Sequence, residues 1–360
     1  MNETIYFKKL DTLRFIAFFL VFWQHAFSQS FKNISSNQFI QSLIANLTIT
    51  GGIGVHIFFV LSGFLITFLM IMEEKTNGSI SLGKFYLRRI LRIWPVYYLI
   101  IILGIFVLPT LFSTFEFSGS LWKNLFFMNN SDMMGQAPNV GIAWSVAIEE
   151  QFYLIWPLLF IIFKNKKVLS IVCLSLIIAS ITFKINNPID SYFPTMGNIL
   201  YLMIGCIGAI GYSKYKFKIE SFKSSQPRAL TPLILLSIIF IILPGLHNFF
   251  NIASMLMLPV FYLLIILNLV INNKTKRSSF ISKWGKYTYG MYLYHPMIII
   301  FIKILFDLTN LDYQENPLYN FLMACVSLVV TIIISTMSYN YFEKHILKLK
   351  SKFAIVKTRI

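Results

Sequence analysis

Apolar stretches of about 20 residues, each long enough to cross the hydrocarbon core of a bilayer, recur from one end of this chain to the other. Read between their polar breaks they give ten candidate spans, at roughly 10–29, 52–72, 93–112, 142–163, 168–185, 196–213, 229–246, 251–271, 287–306 and 318–341. Hydrocarbon offers no partner to a free N–H or C=O group, so each span is expected to be a helix. The expected fold class is therefore all-α: a polytopic membrane helical bundle with about ten transmembrane helices. Composition agrees, since 57% of residues are hydrophobic and only 12% are charged. Soluble domains carry about 25% charge, and this chain lacks the polar residues to cover a water-facing surface. Disorder, collagen-like fibre and a disulfide-stapled secreted scaffold are excluded. Cys173, Cys206 and Cys325 lie far apart in apolar runs without metal-ligand or redox spacing, and read as small membrane-core residues. With no internal repeat or low-complexity tract, residues 1–360 are expected to form a single membrane domain with no appended soluble domain. The longest connections, about 30–51 and 113–141, contain one helical candidate, an interfacial turn at Leu121–Met128.

The net charge of +17 would point to nucleic acid in a soluble protein. Here the basic residues sit in short loops between spans, so orientation is their first reading and no nucleic-acid partner is expected. An N-terminus in the cytoplasm places 26 of the 31 Lys and Arg residues on one side, against Lys32, Lys123, Lys184 and Lys303 on the other and Arg14 within the first span. This bias requires an even number of spans and puts both termini in the cytoplasm. Asp11 and Arg14 interrupt the opening segment, and no small-x-small site closes it, so it does not read as a cleaved signal. The expected location is a bacterial cytoplasmic (inner) membrane, with the lipid bilayer as a partner.

Ionisable residues inside spans are costly and mark function or internal pairing. Arg14 and His25, eleven positions apart, differ by only about 20° around a helix and about 16 Å along it, so they share a face. Asp11 lies about 40° off that stripe. Such a row either lines a path through half the bilayer, or has Arg14 reaching to the headgroups and His25 bonded to a neighbouring helix. In Phe85–Pro95, Arg88 and Arg92 are one turn apart and project together, while Arg89 points about 100° away. Paired guanidinium forks suit phosphate. The competing reading is a positive-inside anchor with an aromatic belt at Trp94, Tyr97 and Tyr98. Glu149 and Glu150 lie about two turns into an apolar helix and also diverge by about 100°, so at most one faces a given site. Ser145, Glu149 and Tyr153 form an i, i+4, i+8 stripe. One glutamate is a candidate for orienting or ionising a histidine, the other for pairing with an arginine. His295 precedes Pro296, which frees a carbonyl one turn upstream, so it reads equally as structural glue and as a functional group. His56, His247 and His345 sit at span ends. Gly51-Gly52-Ile53-Gly54 and Ser62-Gly63 read as sites of close helix contact. The sequence contains no metal-ligand cluster, nucleophile elbow or nucleotide phosphate loop, and no metal is expected.

These segments together resemble the acyltransferase 3 family of integral membrane O-acyltransferases. The resemblance runs in order through Leu10–Arg14 with His25, Gly54–Thr67, the arginines 88, 89 and 92, Trp-Ser-x-x-x-Glu-Glu-Gln-Phe-Tyr at 144–153, Tyr-x-x-Tyr-x-Tyr-His-Pro at 289–296 and Ser338–Lys344. It covers essentially the whole chain. It implies transfer of an acyl group, usually acetyl, from acyl-coenzyme A to a hydroxyl of a sugar or glycan acceptor such as O-antigen, capsule, exopolysaccharide or peptidoglycan. It carries the arginine–histidine pair onto Arg14 and His25, and the arginine cluster onto Arg88, Arg89 and Arg92. Two departures stand out: His345 takes the place of a usual proline, and no extracytoplasmic esterase-like domain is expected within the 360 residues. The acceptor is then acylated within the membrane domain, or a separate transferase partner completes the reaction.

The mechanism expected on that basis has acetyl-CoA (acyl-CoA) as donor, held at the cytoplasmic mouth by Arg88, Arg89, Arg92 and Arg14. His25 acts as general base or as an acyl carrier, with Glu149 or Glu150 holding its imidazole. Two other readings accommodate the intramembrane ions: a transporter or flippase for a glycolipid or polysaccharide precursor, and a structural subunit of a polysaccharide assembly.

Overall fold

The computed structural model describes residues 6–27, 51–133, 135–225, 251–272, 281–309 and 316–351, and among these residues it is helical with no strand. The long helices are α1 (Lys8–Phe27), α2 (Gly51–Asn77), α3 (Leu82–Ile102), α4 (Trp144–Ile162), α5 (Lys166–Asn186), α6 (Thr195–Ser225), α7 (Asn251–Ile271), α8 (Thr288–Leu308), α9 (Pro317–Ser338) and α10 (Lys344–Ser351). The expected span at 229–246, His247, and most of the connection at 30–51 lie outside the described residues. Every other expected span falls on one of these helices.

Seven described segments are long and apolar enough to cross a membrane, with mean hydropathies from 1.4 to 2.4. Two expected spans fall outside that group. Helix α1 carries Lys8, Lys9, Asp11 and Arg14 in its first half, and the apolar part of α7, Met255–Ile271, is shorter. The exterior is apolar, as for a lipid-facing surface. Leu154, Ile155 and Ile162 of α4, Ile171, Leu174 and Ile178 of α5, and Leu318, Phe321 and Val329 of α9 are exposed. The interior instead encloses charge and hydroxyls, among them Asp11, Glu73, Glu343 and His295. Of the cysteines, Cys173 and Cys206 are buried and Cys325 is exposed.

Local chemistry sets the helix ends. Asn165 caps α5 by accepting from the Lys167 N–H at 2.9 Å, and Asn316 caps α9 from the Leu318 N–H at 3.0 Å, with Pro317 in the first turn. Several helices run past the expected boundaries: α2 continues to Asn77 and α6 to Ser225, and two further cases bear on the site. Helix α3 begins at Leu82 rather than near 93: its arginines line an internal cavity, and Arg88 pairs there with Glu73, so they need not end the helix in water. Beyond α9 a π-helical turn, Tyr339–Glu343, continues into α10. Such turns re-aim side chains within a helix, and this one puts both Tyr339 and Glu343 on a central cavity. The expected interfacial turn is helical over Leu121–Leu125, with Trp122 and Phe126 exposed beside it.

Helix α2 is the spine, packing on α1 and α6. A side chain at Gly54 would strike the Ala17 carbonyl of α1, and one at Gly63 would strike the Leu202 carbonyl of α6. The expected close contacts at these glycines are therefore backbone-to-backbone approaches. Helix α1 also packs on α8, whereas α4 lies against α2 and α3. This arrangement decides which polar residues meet.

Candidate functional site

A cavity of about 280 Å³ opens among α1, α2, α3, α4, α8 and the α9–α10 junction. Arg14, Arg88, Arg89 and Arg92 all line it. Their charges are handled in two ways. Arg14 pairs with Asp11 at 2.6 Å, and the Tyr6 hydroxyl donates to the same carboxylate. Arg88 pairs with Glu73 at 2.9 Å, while the other Glu73 oxygen accepts the Ser81 N–H at 2.9 Å and secures the start of α3. Among the described residues Arg89 and Arg92 enter no ion pair. The Arg89 guanidinium lies 5.5 Å from the Tyr153 ring centroid and 5.7 Å from that of Phe85, and its buried Nε has no hydrogen-bond partner. Arg92 is exposed, and it lines the cavity. The expectation from spacing, that Arg88 and Arg92 act as twins with Arg89 apart, is thus redrawn by Glu73, which neutralises Arg88.

Helix α4 supplies the opposite wall. Ser145, Glu149 and Tyr153, the stripe read from the sequence, all line the cavity. Glu149 accepts from Ser62 Oγ at 2.6 Å, and the Tyr153 hydroxyl lies within hydrogen-bonding distance of both Glu149 (3.1 Å) and Ser62 (3.2 Å). Glu150 points elsewhere, as the 100° step requires: it accepts from Trp94 Nε1 at 2.9 Å, and its second oxygen is buried without a partner. At the far end Ser145 Oγ and the Tyr292 hydroxyl are 2.6 Å apart. The cavity therefore passes from guanidinium groups to hydroxyls.

His25 does not line this cavity. It turns to α8, where its Nδ1 lies 3.0 Å from Nε2 of His295. His295 is completely buried, and its Nδ1 faces the Met291 carbonyl at 3.1 Å. Tyr292, which does line the cavity, has its ring centroid 6.0 Å from that of His295. The sequence-based expectation put Glu149 or Glu150 beside the imidazole. The structure has His295 in that place, because α1 packs on α8 while both glutamates belong to α4 and are held by Ser62, Tyr153 and Trp94. Arg14 and His25, expected on one face, are accordingly divided between the cavity and the histidine pair.

Two participants, Glu73 and Glu343, and one pairing were not singled out from sequence. Glu73 was legible only as an acidic residue in a strongly basic stretch. Glu343, which accepts from Ser338 Oγ at 3.2 Å, sat within a quoted segment without a role. The His25–His295 pairing joins residues 270 positions apart and has no local signal.

The family model described as an acyltransferase domain, that of acyltransferase 3, matches residues 7–336. The chain is 27% identical over 328 residues to "Peptidoglycan O-acetyltransferase OatA" of Listeria monocytogenes, covering 83% of this chain and 51% of that protein. It is 26% identical over 329 residues to "Putative peptidoglycan O-acetyltransferase YrhL" of Bacillus subtilis, covering 82% and 50%. The chain spans about half the length of the curated relatives it matches. No solved structure matches it. With the family model extending over nearly all of the helical bundle just described, the chain belongs to the acyltransferase 3 family.

Proposed function

We propose that this multi-pass membrane protein is an O-acetyltransferase that takes an acetyl group from cytoplasmic acetyl-CoA and delivers it to a glycan hydroxyl outside a bacterial inner membrane. Peptidoglycan is the acceptor class named for its relatives. The single observation carrying the donor assignment is a cavity with two arginines, Arg89 and Arg92, that make no ion pair among the described residues. Arg89, whose Nε is buried without a partner, is costly without a counter-ion, and a polyanionic ligand that supplies one to it and to the cavity-facing Arg92 gains the difference. Planar guanidinium groups also match phosphate oxygens. In this reading Arg92 and Arg89 hold the donor phosphates, Arg14 and Arg88 shape the site while already neutralised, and the thioester reaches toward the hydroxyl-lined end at Ser145 and Tyr292.

His25 then takes the proton from the acceptor hydroxyl as its oxygen attacks the thioester carbonyl. The new C–O bond forms, the C–S bond breaks, and the leaving thiolate recovers a proton from the imidazolium. Glu149 and Glu150 serve as positioning residues for Ser62, Tyr153 and Trp94.

The test uses the purified full chain in proteoliposomes, with radiolabelled acetyl-CoA on one side and de-O-acetylated peptidoglycan strands on the other. Label transfer to the strands supports the proposal. Coenzyme A-independent behaviour, with no label transferred and no coenzyme A released, overturns it.

A further inference from the structure

Two imidazoles 3.0 Å apart, nitrogen to nitrogen, need one donor and one acceptor between them. The Met291 carbonyl fixes which is which. A carbonyl oxygen only accepts, so His295 Nδ1, 3.1 Å away, carries a hydrogen. A neutral His295 then has its lone pair on Nε2, the atom facing His25. His25 must therefore donate from Nδ1, which leaves the basic lone pair of a neutral His25 ring on Nε2. Aromatic neighbours close the pair in: the rings of Phe18 and Phe22 lie 5.8 Å and 6.1 Å from that of His295. Phe18 and Phe22 are themselves fully buried, so the His295 ring is locked by packing as well as by its carbonyl.

From this geometry we infer that His295 is a positioning residue that fixes the tautomer and the ring orientation of His25, a place given to a carboxylate in many histidine bases. The inference rests on the reading of His25 as the base. Its consequence is chemical. When Nε2 of His25 takes the acceptor's proton, the Nδ1–H to His295 is already made, so protonation requires no rotation of either ring. The pairing also uses a neutral partner. A carboxylate in its place would sit among Phe18, Phe22 and Tyr292 with little else to satisfy it.

The experiment has two arms, both on the full chain in lipid bilayers. In the first, solid-state NMR of ring-¹⁵N-histidine-labelled protein, with His25→Ala used for assignment, reads the tautomer directly. His25 protonated at Nδ1 in the wild type is the expected result, and His25 protonated at Nε2 overturns the inference whatever the variants do. In the second, transfer from acetyl-CoA to de-O-acetylated peptidoglycan strands is measured for three variants. His295→Ala is expected to lower kcat by about 10- to 100-fold with KM for acetyl-CoA unchanged. His295→Gln, whose amide oxygen can accept from His25 Nδ1, should recover much of the loss, and His295→Leu should not. Wild-type kcat in His295→Ala, alongside an inactive His25→Ala, overturns the inference and leaves the base in place. Wild-type turnover in His25→Ala removes the base itself, and the inference with it.

Discussion

In the cavity four guanidinium groups converge, two of them held by carboxylates at 2.6 Å and 2.9 Å, whereas at the histidine pair two ring nitrogens meet at 3.0 Å, with the Met291 carbonyl 3.1 Å from the other nitrogen of His295. The first region manages polarity by counting charges, and its remainder, Arg89 and Arg92, is what a ligand would neutralise. The second manages polarity by direction, since the only question there is which nitrogen donates. In the proposed function this contrast is the division between binding and chemistry within one bundle. On the function proposed above, an ion-paired arginine contributes to the fold, an unpaired one to the ligand, and a hydrogen-bond chain to proton transfer.

The sharpest way to break this division is His25→Ala, for which turnover should fall by about 10²- to 10⁴-fold while the dissociation constant for coenzyme A stays unchanged. A matching loss of affinity would merge the two regions into one. Next in size is Arg88→Ala. It strands the Glu73 carboxylate, whose side chain is 3% exposed, and should destabilise the protein by about 3 kcal/mol in thermal unfolding. Adding Glu73→Gln should restore part of that loss, because the stranded charge is gone. Arg92→Ala should do the reverse of Arg88→Ala: stability is kept, and coenzyme A affinity drops by about 2 kcal/mol, as for a lost hydrogen bond to a charged group. A purely structural effect is expected at the spine. Gly63→Ala forces α2 away from the Leu202 carbonyl of α6 and should cost about 1–3 kcal/mol, read as a lower unfolding temperature.

Hydropathy made most of the helices legible, since lipid demands long apolar runs with their backbone satisfied internally. It failed where polar residues remain helical. Leu82–Arg92 and the stretch from Tyr339 onward break the apolar pattern yet continue their helices, with Arg88, Arg89, Arg92, Tyr339 and Glu343 lining an internal cavity. Angular arithmetic along a single helix succeeded: Ser145, Glu149 and Tyr153 share the cavity, and Glu150 turns away to Trp94. The same arithmetic could not say which helix would face which. That is why a glutamate was expected beside His25 and His295 stands there, and why Arg88 was read together with Arg92 as a phosphate fork although Glu73 holds it. Pairings between distant segments depend on packing, and the glycines at 54 and 63 that set this packing betray closeness without naming the partner.

The central claim, that unpaired arginines in the cavity bind the donor's phosphates, is tested most directly by isothermal titration calorimetry of coenzyme A against the purified full chain. Wild-type protein should bind, with an affinity that falls as salt is raised. Arg92→Ala should bind at least about 10-fold more weakly, and Arg88→Ala, measured below its unfolding temperature, should lose less. Equal affinities for wild-type and Arg92→Ala proteins, or no binding by the wild type, would contradict the account.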